Sequence, residues 1–118
     1  MKARNYSFSN FEVDAILAAL PLLTYDYPDI SDAQLNLNTV GSSLVMNKLL
    51  NRVNQYSVED MRIICSAVFT ADAVLSGQES LDIDPELRKD LSRNYFVYKQ
   101  LLPRLDKIFD EIEKYLYE

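Results

Sequence analysis

The sequence predicts an all-α protein: an up-down antiparallel four-helix bundle with a long, Pro-kinked C-terminal helix. Three observations predict it. Four segments open with helix caps. The stretch from Ser57 to Ser76 is apolar around most of a helical circumference. The last third of the chain carries an unbroken heptad. Glycine and proline are scarce, two and four in 118 residues, so little interrupts a helix. The length suits one domain, residues 1–118, with a core of its own.

The stretch 57–76 is the expected centre. Glu59, Arg62, Ser66 and Thr70 fall on one narrow stripe, and nearly everything else is apolar. Such a helix is surrounded by other elements. Ser57 is its expected N-cap and Asp60 its third residue. Tyr56 and Met61 are spaced as a hydrophobic staple. Gly77 is placed to end it in a left-handed conformation.

The first helix is expected over about residues 10–20, or as far as 24. A capping box runs from Ser9 to Glu12 and a staple from Phe8 to Val13. Pro21 removes a backbone hydrogen bond and kinks or ends the helix. Ser31 and Gln34 open a second helix, expected over 32–55. Its apolar residues divide between two sides. Ala33, Leu37, Val40 and Leu44 share one; Leu35, Met46, Leu49, Leu50 and Val53 share the other. The change near Gly41-Ser42-Ser43 means a break, a change of neighbours, or a close helix crossing. Gln55 and Tyr56 alone then lead into the central helix, which forces a hairpin.

Asp84-Pro85-Glu86 opens the last helix, with Asp as N-cap and Pro at the first position. Leu91, Tyr95, Tyr98, Leu102, Leu105, Phe109, Ile112 and Leu116 are spaced alternately four and three apart. We expect one helix over 85–117, kinked at Pro103. At that length its final turns project beyond the hairpin and expose an apolar stripe. Leu105, Ile108, Phe109, Ile112, Tyr115 and Leu116 are therefore the expected partner-binding residues, most simply in a homodimer through the C-terminal helix. Cover by Tyr6 and Phe8 of the same chain is the intramolecular alternative.

The net charge is −6, and the segment 57–84 carries most of it. Glu79, Asp82 and Asp84 are expected to form an exposed acidic patch. An acidic surface gains nothing from counterion release, so no nucleic-acid partner is expected. No apolar run reaches membrane-spanning length, and Glu12 and Asp14 interrupt the approach to the run 15–23, so a cytoplasmic protein without a membrane partner is expected. Cys65, a lone cysteine on an apolar face, reads as a packed thiol.

The chain contains no histidine. Nucleophiles that depend on histidine, and Glu-x-x-His metal sites, are excluded. Two glycines build no phosphate-cradling loop. We expect no cofactor and no metal site. Asp106, Asp110 and Glu113 share a helical spacing, but interleaved Lys107 and Lys114 give the pattern of a solvated face. Asp72 breaks pattern, falling with Met61, Cys65 and Phe69. It is the candidate buried acid, expected to pair with an arginine such as Arg93 or with a tyrosine hydroxyl. The function these features suggest is a small acidic, non-catalytic protein-binding module, of the inhibitor, immunity, antitoxin-like or regulatory-subunit kind. The alternative is a carboxylate-based Mg-dependent enzyme or a ligand-binding bundle.

Overall fold

The fold is all-α. The computed structural model describes residues 4–25, 30–78 and 82–117, with Arg4 and residues 115–117 by backbone alone. Helix α1 spans Asn10–Ala19 and passes into a 3-10 helix, Leu20–Thr24. Helix α2 spans Asp32–Leu50, α3 Val58–Leu75, α4 Pro85–Arg93 and α5 Tyr95–Tyr117. Two-residue strands, β1 (Arg4–Asn5) and β2 (Gln55–Tyr56), pair antiparallel, with Arg4 opposite Tyr56 and Asn5 opposite Gln55.

The caps form where the sequence puts them. Glu12 N donates to Ser9 Oγ and Ser9 N donates back to Glu12 Oε1. Ser57 and Asp60 make the same reciprocal pair at α3. Ser31 accepts from Gln34 N, while the Gln34 side chain turns away to Asn38. Asp84 accepts from Glu86 N. Pro21 changes the helix type rather than ending the run, because the tighter 3-10 geometry accommodates the missing donor at its first turn. Gly77 ends α3 at φ 81°.

Helix α2 is unbroken at Gly41. A Cβ there would lie 2.9 Å from Ile63 Cδ1, so the missing side chain admits the α3 residue. The helix stops at Leu50, short of the expected 55. Arg52 takes a left-handed φ of 57°, and the Asn51 side chain donates to Asn47 O. The connection to α3 is therefore longer than the two residues expected, and it contributes β2.

The expected single helix over 85–117 is two helices. Asn94, with ψ near 5°, separates α4 from α5, and its side chain donates to Asp90 O. Pro103 sits exposed inside α5, so the interruption lies at Asn94 and not at the proline. The heptad still sets what is buried. Leu91, Tyr98, Leu105 and Ile112 are buried; Tyr95, Leu102 and Phe109 are half-buried.

Helix α3 occupies the centre, packed against α1, α2, α5 and the 3-10 helix. Ile64, Cys65, Ala67, Val68 and Ala71 are fully buried there. Cys65 Sγ points at Leu105 O, 3.7 Å away, and burial pushes its thiol up to about 12. Phe69 meets Phe109 edge-on at 5.7 Å between ring centres.

Candidate interaction surface

Helix α2 is 19 residues long but turns only Ser42, Val45 and Leu49 fully inward, with Leu35 and Asn38 half-buried beside them. Those positions make one narrow line. Helices α1 and α3 and the 3-10 helix all lie on that side of α2. No described element covers the opposite side. Leu37, Val40 and Leu44, at i, i+3 and i+7, are 65%, 60% and 56% exposed. Ala33 continues the row one turn earlier and is exposed too. Met46, Leu50 and Val53 are exposed on another flank of the same hairpin arm.

This row has an unusual setting. Residues 33–47 include no Asp, Glu, Lys or Arg, although a quarter of the chain is charged. The first charges on either side are Asp32 and Lys48. Lys48 is engaged inward, with its Nζ 2.5 Å from Asp60 Oδ2 and 5.9 Å from the Tyr56 ring centre. The face is apolar at its centre and edged by the uncharged polar residues Asn36, Thr39, Ser43 and Asn47. Depletion of charge at the centre of a patch is what marks a protein interface.

The C-terminal residues expected to bind a partner have a different position. Leu105, Ile108 and Ile112 are buried in the chain's own core, and Phe109 meets Phe69 edge-on. The side chains of Tyr115 and Leu116 lie outside the described residues. Two things remove the expected overhang. α5 has 23 residues instead of 33, because Asn94 ends the preceding helix. The N-terminal strand and the residues after it also lie across this end. Tyr6 and Phe8 pack with Tyr56 at 6.5 and 5.7 Å. Arg104 donates to Ser7 O at 2.7 Å, pairs with Glu12 and stacks on Phe8 at 5.0 Å.

Asp72 has a partner, but not the expected one. Lys99 Nζ lies 2.8 Å from Asp72 Oδ1, while Arg93 turns to Asp90. That oxygen is buried and receives no hydrogen bond of ordinary geometry, so we take the close ammonium as its compensation. The ammonium also lies 5.2 Å from the Tyr95 ring centre. Asp72 and then Tyr95 hold the Lys99 proton above its usual range. A paired carboxylate of this kind ties α3 to α5.

Of the acidic patch, Asp82 and Asp84 are exposed, Asp84 is spent on capping α4, and Glu79 lies outside the described residues. Asp106, Asp110 and Glu113 are exposed on α5. Among the described residues no three His, Cys, Asp or Glu side chains are grouped to hold a metal ion. No helix there is long and apolar enough to cross a membrane.

In the sequence Ala33, Leu37, Val40 and Leu44 form an apolar row, and the change of side near Gly41 is open to a break, a change of neighbours or a close crossing. The signal that separates the row from a core face is the absence of charge along the whole arm. Core helices need charge on their outer face for solubility, and this outer face has none. Compared with protein-family models, curated proteins and solved structures, the chain matches none.

Proposed function

We propose that this chain is a small acidic, non-catalytic protein-binding module, of the inhibitor, immunity, antitoxin-like or regulatory-subunit kind, and that it binds through the outer face of α2. The scaffold in this reading is an up-down arrangement of α1, α2, α3 and α5, with α4 leading into the last helix. One observation supports it above the rest: Leu37, Val40 and Leu44 stand more than half exposed in a row on the stretch 33–47 of α2, which carries no charged side chain. Leaving them in water has a solvation cost that docking removes. A helix face with anchors at i, i+3 and i+7 is the form in which helices seat in apolar grooves or against other helices.

The test is capture from a native lysate with quantitative mass spectrometry. Wild type is compared with Leu37→Glu/Leu44→Glu and with Phe96→Ser, which alters an exposed apolar residue on α5. The proposal predicts at least one protein, another copy of the chain included, retained by wild type and Phe96→Ser and lost from the double variant. Equal capture by all three overturns it.

A further inference from the structure

We infer that the occupant of the α2 face is a second copy of this chain, docked as an antiparallel α2–α2 pair about a two-fold axis near Val40. The inference rests on the reading of α2 as an interaction surface and names the partner. Electrostatics favours a copy over a different protein. Each chain carries −6, so two copies repel over most of their surfaces. The arm 33–47 is where they approach with least repulsion, because neither copy presents a charge there. A basic partner, by contrast, is steered by acidic groups, and this face has none to steer it.

The spacing is self-complementary. A two-fold interface presents the same patch twice. With the axis near Val40, Leu37 of one copy lies at the level of Leu44 of the other, and each Val40 faces its equivalent. Asn36 and Asn47 come to similar levels at the two ends and match polar edge to polar edge. The steps of four, three and four between Ala33, Leu37, Val40 and Leu44 are those of a helix-pair seam. The antiparallel direction opposes the two helix dipoles and sets the Asp32 end of one helix beside the Lys48 end of the other. A parallel pair would place like ends together.

The patch has the size of a small, reversible interface. Three side chains more than half exposed leave roughly 300 Å² of apolar surface per chain, the scale at which a patch on a monomer becomes a binding site. With the polar edges, two copies bury on the order of 1,000 Å², at the low end for a specific interface. The dimer is therefore a reversible one, formed only well above about 1 µM chain.

Sedimentation velocity from micromolar to about 0.5 mM chain tests it. The weight-average mass should rise from 13.6 kDa towards twice that value across the series. Raising salt should not weaken the dimer, since no charge lies within the seam and screening reduces the repulsion between two chains of −6. Leu37→Glu/Leu44→Glu should weaken the dimer at least about tenfold with the helical circular dichroism unchanged. Val40→Cys should give a disulfide-linked dimer on mild oxidation, and Phe96→Cys should not. That cross-link keeps the test open should the glutamate pair fail to fold. A wild-type monomer throughout the series overturns the dimer, as does a dimer that ignores the glutamates and leaves Val40→Cys unlinked. If the wild type is monomeric yet captures a different protein that the glutamates release, the dimer falls and the interaction reading stands.

Discussion

Lys99 Nζ lies 2.8 Å from Asp72 Oδ1, and this contact fastens α5 to the central helix where their apolar packing admits one acid. Its pH dependence has a definite sign. The folded state holds the Lys99 proton more tightly than the ordinary value of 10.5, through Asp72 first and Tyr95 second. The contribution is whole below 10.5 and is lost as pH rises through the folded value. Burial raises the Cys65 thiol from 9.0 to about 12 and raises the Tyr98 hydroxyl as well, and both act in the same sense. We predict a urea midpoint that falls as pH climbs above 9.0. Lys99→Met should lower the midpoint at neutral pH and flatten the loss above 10.5. An unchanged alkaline slope in that variant would show that the pair does not contribute.

Tyr98 supplies a second prediction. Its ring is fully buried, and its hydroxyl donates to Ala15 O at 2.8 Å, joining α5 to α1. Tyr98→Phe keeps the ring and leaves the carbonyl without that donor. Ala15 O keeps its place in the α1 ladder, so the loss is that of one buried hydrogen bond, about 0.5–1.5 kcal/mol. Urea unfolding should show a loss in that range. A neutral result would mean that water reaches Ala15 O once the hydroxyl is gone.

Gly41 is held by Ile63 and not by backbone conformation. Alanine there should gain about 1 kcal/mol of helix propensity but meet Ile63 Cδ1 at 2.9 Å. The two effects oppose, so Gly41→Ala alone should change stability little. In an Ile63→Ala background both obstructing atoms, Cδ1 and the Cγ1 at 3.0 Å, are absent, and the same substitution should stabilise by about 0.5–1 kcal/mol. Equal effects in both backgrounds would show that Ile63 moves aside freely.

Much of the fold was legible because its signals are local. A cap is decided by four adjacent residues, and Ser9, Ser31, Ser57 and Asp84 all act as caps. The heptad also survived, because a seam of large apolar residues is buried whatever the neighbours are. Less legible were features decided by competition between local and tertiary terms. Asn94 breaks the last helix by bonding its own preceding turn, a weak signal against a continuous heptad. That break shortened α5 and removed the basis for an exposed C-terminal stripe. The partners of Asp72 and Arg104 depend on which faces meet, which spacing along one helix does not state. The candidate surface was visible as a row of apolar residues on α2. Its exposure was not, since periodicity gives a face and not what covers it.

The most direct test of the account is urea unfolding of two double variants at about 1 µM chain, below the range of weak association. Leu37→Ser/Leu44→Ser alters the α2 face; Ile108→Ala/Ile112→Ala alters the C-terminal stripe. If the first is a spare binding surface and the second is core, the α2 pair should change stability by less than about 1 kcal/mol. The C-terminal pair should lose more than about 3 kcal/mol. A large loss from the α2 pair with little from the C-terminal pair would contradict the account, placing the core at α2 and the free surface on the last helix.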